Sequence, residues 1–162
     1  MYKFSHFMTI SSDVLLKLTF GFIFFNYGYA KLENLILGNA EGLINMVSSI
    51  PIFGFFPILF SWILAFSELT IFIGLLYGLF SFLPYSNFAT KLSGLLALLI
   101  TTVIIYLHIF AWGDNIFIYG PFEFLNVQDD GKSVFGQILF IPISFYIIFS
   151  NSQNNNNISD AK

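Results

Sequence analysis

Cysteine is absent from this sequence. That removes disulfides, cysteine-ligated iron–sulfur clusters, thiol-attached haem and any persulfide chemistry carried by the chain itself. Redox work would therefore need a bound cofactor or a partner. Arginine is absent too, so every positive side chain is a lysine. No basic surface of the kind that nucleic acid requires is present, and no nucleic acid partner is expected. Charge of either sign is scarce: 9% of residues are charged and 57% hydrophobic, with a mean hydropathy of +0.81. A soluble domain carries about 25% charged residues, so a soluble fold could not solvate this surface. The chain has 162 residues, enough for one domain of four spans of roughly 20 residues each, with no room for a separate soluble catalytic domain.

What the chain does have is a succession of apolar runs. The first, residues 14–32, follows Ser11, Ser12 and Asp13, whose side-chain oxygens suit a helix N-cap. A cleaved signal peptide is the competing reading, but the run is longer than a usual h-region and has no small-residue exit before Lys31. Residues 35–56 are mixed: Glu41 opens a short amphipathic stretch, and Pro51, Gly54 and Pro57 then break any continuous helix, which reads as an interfacial segment. Residues 58–83 form a second span closed by Pro84, and at ~39 Å it exceeds a hydrocarbon core of ~30 Å, so tilt is expected. Residues 88–111 form a third. Gly113, Asp114, Gly120-Pro121 and Asp129-Asp130-Gly131 make 112–132 a loop with a short hairpin around 116–119. Residues 134–150 make a fourth span kinked at Pro142, and the asparagine-rich tail 151–162 reads as disordered. The expected fold is an all-α integral membrane four-helix bundle over 1–150, with an interfacial segment between helices 1 and 2.

Lysine placement orients the bundle, because positive residues are retained in the cytoplasm. Four spans put Lys3, Lys17, Lys91 and Lys162 on one side and Lys31 and Lys132 on the other. Both termini are expected in the cytoplasm of a cell that holds this chain in its cell membrane. The outer side collects Glu33, Glu41, Asp114, Glu123, Asp129 and Asp130.

Inside the spans, polar and small residues recur at helical spacing. Asp13, Lys17, Gly21, Phe24, Gly28 and Lys31 share one face of the first helix, and Gly94, Ala97, Thr101 and His108 one face of the third. Ser67, Gly74, Gly78 and Ser81 form a seam on the second. Such seams serve close helix packing and are scaffold evidence only. Glu68 lies eleven residues beyond Pro57, roughly 16 Å along its helix and near mid-membrane. An acid at that depth is a functional candidate, and the alternative is a neutral glutamate acting as hydrogen-bond glue between helices. His108, one turn before Trp112, is either an interfacial histidine beside an aromatic belt or a proton donor and acceptor. The other histidine, His6, belongs to the opposite side, so bis-histidine haem is excluded and a single axial ligand stays open. No metal site is expected. Asn26, Tyr27, Lys31, Glu68, His108, Trp112 and Asp114 fall in the outer half of the bundle. Converging polar groups within apolar walls are what a quinone-type headgroup needs.

The segment 18–32, with Gly21, its phenylalanines and tyrosines and the ending Gly28-Tyr29-Ala30-Lys31-Leu32, resembles the first helix of DoxX-type membrane proteins. Ser67-Glu68-Leu69 followed by Gly74-Leu75-Leu76-Tyr77-Gly78 resembles the second helix of that family, and the third helix, ending at His108, fits loosely. The resemblance covers about residues 13–111. It implies a membrane subunit of a quinone-linked oxidoreductase in a bacterial inner membrane. Glu68 and His108 are then the candidate catalytic groups, and Asn26, Tyr27, Lys31 and Trp112 the candidate quinone contacts. The family equally admits a non-enzymatic scaffold or assembly factor acting with a partner subunit or as a homo-oligomer. A proton carrier built on Glu68 is a third reading, disfavoured by the lack of repeats and broken helices.

Overall fold

The computed structural model describes residues 2–111 and 137–150, with side chains over 8–110 and 137–150, and all regular structure among them is helical. Helix α1 spans Tyr2–Leu37, 36 residues, and runs past the expected end at residue 32. The reason is local. Lys31, Glu33 and Asn34 are polar, yet polarity does not stop a helix; Gly38 does, with φ +77°, and the Asn39 N–H donates to the Asn34 carbonyl at 2.9 Å. This pairing is a Schellman cap, which glycine adopts without a Cβ penalty.

The segment expected at the interface is a short helix, α2, at Glu41–Ser48, followed by a 3-10 turn at Phe53–Phe55. Val47 turns into the protein, and Phe53 stacks on Phe60 at 4.6 Å. Helix α3 spans Pro57–Gly78, with proline in its first turn, where no N–H is needed. It stops five residues short of the expected end at 83. Its 22 residues rise about 33 Å, close to the ~30 Å of a hydrocarbon core, so the excess length argued for tilt does not exist. Ser81 lies beyond the helix and is exposed, so it is no part of the small-residue seam. The turn that follows is tied by the Tyr77 hydroxyl, which donates to the Pro84 carbonyl at 2.8 Å.

Helix α4 spans Ser86–Tyr106 and passes into a π-helical turn at Leu107–Ala111. Helix α5 spans Phe140–Phe149. Its regular course is interrupted at Leu139, because Pro142 has no N–H for the Ile138 carbonyl and its ring crowds that same oxygen. The ten residues of α5 rise about 15 Å, half a hydrocarbon core. The start of the expected fourth span at 134, the hairpin at 116–119 and the tail 151–162 lie outside the described residues.

Glycines set the register. Gly21 faces Phe72 and Leu75, and Gly28 faces Ala65, Glu68 and Leu69, so α1 and α3 run antiparallel. Gly74 and Gly78 meet Ser93 and Thr90 of α4, and Gly94 meets Ser144, Ile147 and Ile148 of α5, again antiparallel. The ring closes where Phe140 packs on Phe20 and Phe24. Phe20, Phe24, Ile71, Leu75, Ala97, Ile100 and Ile147 form one core drawn from all four long elements. Three helical stretches, Met8–Leu37, Pro57–Gly78 and Ser86–Phe110, are long and apolar enough to cross a bilayer, which makes this a membrane protein. The bundle has two ends, the Gly38 end, where α1 stops, and the Tyr85 end, where α3 turns into α4.

Candidate functional site

Lys31 and Glu68 meet directly. Nζ of Lys31 donates to both Oε1 and Oε2 of Glu68, each at 2.7 Å. Glu68 is fully buried, while the Lys31 side chain keeps 20% of its surface exposed. Lys31 and His108 are the leading partners expected for Glu68 from the sequence, but Lys31 lies at the end of its helix and Glu68 near mid-membrane, so by residue position direct contact calls for a tilted second helix, with Asn26 or Tyr27 as the nearer alternative. Two features of helix geometry remove the difficulty. Gly28 lies against Glu68 Cβ and the Ala65 carbonyl, which brings the backbones to minimal separation one turn before Lys31. Helical side chains also lean toward their own N-terminus. In an antiparallel pair, Lys31 therefore leans back toward the level of Gly28 and Glu68 leans forward to meet it.

The remaining sequence candidates separate. Tyr27 belongs to the site: Lys31 Nζ lies 5.4 Å from the centre of its ring, a cation–π geometry, and the residue is 46% exposed. Asn26 is exposed on α1, and neither the hydrogen bonds of the ion pair nor the cavity beside Glu68 involves it. His108 is buried at 2% exposure in the π-helical turn. It does not line the cavity beside Glu68, to which α4 contributes Thr101 and Ile104 instead. The expected approach of His108 to Glu68 fails on register. Gly74 and Gly78 of α3 face Ser93 and Thr90 of α4, which sets Glu68 level with about Leu99 and leaves His108 nine residues farther on, ~13 Å along the helix. Trp112 and Asp114 lie outside the described residues.

Beside the ion pair is a small cavity lined by Phe24, Tyr27, Glu68, Thr101, Ile104, Gln137 and Phe140. All four long elements contribute to it. Thr101 Oγ1 and Gln137 Oε1 are buried there without a hydrogen-bond partner among the described residues. Sequence reasoning placed Thr101 in a small-residue stripe and passed over Gln137. The signal was present, since Gln137 is the one carboxamide in the apolar run 134–150, and an amide in such a span seeks a partner across helices.

A second ion pair sits toward the Tyr85 end on the same face of α1. Lys17 Nζ donates to Asp13 Oδ2 at 2.6 Å, and the Tyr146 hydroxyl of α5 donates to Asp13 Oδ1 at 3.3 Å. Between the two pairs lies a phenylalanine layer, with Phe20 and Phe24 ring centres 5.0 Å apart and Phe140 5.4 Å from Phe20. Among the described residues, no three of His, Asp and Glu are grouped to hold a metal ion. Comparison of the chain with protein-family models, with curated proteins and with solved structures gives no match.

Proposed function

We propose that the chain is a four-span, DoxX-like membrane subunit of a quinone-linked oxidoreductase, and that Lys31 with Tyr27 forms the docking point for a quinone headgroup. One observation carries this reading: the buried pair keeps a proton donor at the lipid-facing edge. A lysine ammonium has three donors, and Glu68 takes two of them. The third has no acceptor among the described residues, and the side chain is 20% exposed beside a half-exposed tyrosine. A quinone carbonyl is an acceptor that arrives through lipid, and Glu68 fixes the ammonium that would receive it. The lysine bias orients the Tyr85 end to the cytoplasm of a cell membrane. The docking point then lies in the outer half.

The test is extraction of lipids and quinones from purified protein, compared between parent and Lys31→Met. Stoichiometric quinone in the parent, lost on removal of the ammonium, is the expected result. Equal or absent quinone in both would remove the headgroup role.

A second reading has its own support. Both carboxylate oxygens accept from Lys31, and Gly28 leaves no room for a Cβ against Glu68, which is how a clamp between α1 and α3 is built. On that reading the protein is a scaffold for a partner, and Glu68→Gln leaves its function unchanged. A docking site that depends on a charged, fixed Lys31 loses quinone in the same variant.

A further inference from the structure

The cavity beside the ion pair has an unbalanced hydrogen-bond inventory. Thr101 is 2% exposed, and its hydroxyl finds no partner, although a threonine in a helix ordinarily donates to the carbonyl four residues back. Thr90 and Thr102, on the same helix, make that local bond at 3.0 and 2.8 Å. Thr101 does not. Gln137 Oε1 is equally unsatisfied and lines the same cavity, as does Glu68. Each buried polar group left without a partner destabilises the fold by about 1–3 kcal/mol, and such orphans call for an explanation. The cavity offers about 20 Å³ for the centre of a water molecule. A single water needs about 10–15 Å³ by that measure, with two to four polar partners.

We propose that this cavity is a binding cell for one water molecule, held by Thr101, Gln137 and Glu68. The donors and acceptors balance. The Thr101 hydroxyl donates to the water oxygen, and the water donates one hydrogen to Gln137 Oε1 and the other to the Glu68 carboxylate. That carboxylate has lone pairs left after accepting twice from Lys31. Phe20, Phe24 and Phe140 close the cell toward the Tyr85 end, and Tyr27, half exposed, forms its wall toward the exterior. This inference does not depend on the quinone reading, since a clamp and a docking point would hold the water alike.

The experiment is water-edited solid-state NMR on the full chain in lipid bilayers, reading magnetisation transfer from water to the Gln137 side-chain amide, with thermal stability of the same samples. The parent shows transfer at Gln137. Thr101→Val keeps the shape and deletes the hydroxyl; it loses the transfer and lowers Tm, because Gln137 is left without the water. Thr101→Ser retains the hydroxyl and restores both. A dry cell gives the opposite sign: no transfer in the parent, and a higher Tm for Thr101→Val because an unsatisfied hydroxyl has been removed. Transfer that survives at parental strength in Thr101→Val would also overturn the proposal. Should Thr101→Val fail to fold, the parent spectrum and Thr101→Ser decide it.

Discussion

Lys31 and Glu68 differ in how each escapes the loss of its partner, and this makes the two deletions unequal. Lys31 has a long apolar stem and 20% side-chain exposure, so without Glu68 it can snorkel toward the interface. Glu68 is short and has no exposed surface. Lys31→Met therefore leaves an uncompensated buried carboxylate and is expected to destabilise by about 3–5 kcal/mol. Glu68→Leu should cost about 1–2 kcal/mol, the scale of a lost interhelical hydrogen bond in lipid. The double variant replaces the pair by apolar volume and should recover most of the loss from Lys31→Met. Equilibrium unfolding in mixed micelles measures all three, and equal losses from the two single changes would refute the asymmetry.

The α1–α3 contact depends on Gly28 more than on any one charge. A Cβ there would lie 3.0 Å from the Ala65 carbonyl oxygen, Glu68 Cβ and Leu69 Cγ, and two of those three neighbours cannot rotate away. Gly28→Ala should push the helices apart, destabilise by about 1–3 kcal/mol as overpacking does, and loosen the ion pair in the same step. Gly42, with open space around it, is the control: its replacement by alanine should leave stability unchanged or slightly raised. Much of this was legible in advance. The face from Asp13 to Lys31 and the face from Gly94 to His108 both turn inward as their spacing required, because a 3.6-residue period is a property of the backbone alone. Helix ends were less legible. The end of α1 depends on Gly38, and within long apolar text a glycine reads equally as a packing contact, which is what Gly78 at the end of α3 makes with Thr90. The Lys31–Glu68 contact was legible as a pairing of a buried acid with a long-stemmed lysine, but it needs no special tilt of α3, because two leaning side chains span the difference in depth between their Cα positions.

At the scale of the whole molecule, the number of crossings decides which end the chain finishes on. Cysteine-scanning is clean in this cysteine-free background, and exposed Asn39 and Asn87 mark the two ends. Ser86 is buried and unsuited to labelling. Asn39→Cys and Asn87→Cys should react from opposite sides of the membrane, and a cysteine at Asn155 should react from the side of Asn87 if α5 completes a fourth crossing. Reaction of Asn155→Cys from the side of Asn39 would reduce the protein to three spans. Gln137 illustrates why sequence reading stopped where it did: its importance lies in a cavity shared by four elements, and no single helix period contains it. The phenylalanine layer bears on one more property. Lys17 and Lys31 are fourteen residues apart, about 21 Å along α1, with the driest part of the bundle between them, where an applied voltage would chiefly fall. A lone charge moved through 100 mV changes energy by about 2.3 kcal/mol, but each lysine is matched by a carboxylate, so each pair is electrically neutral and can shift through the field without net work. These two pairs thereby present no net charge on which a membrane potential could do work. Lys31→Met unbalances one pair, and its tryptophan fluorescence in liposomes should follow an imposed potassium diffusion potential to which the parent stays indifferent.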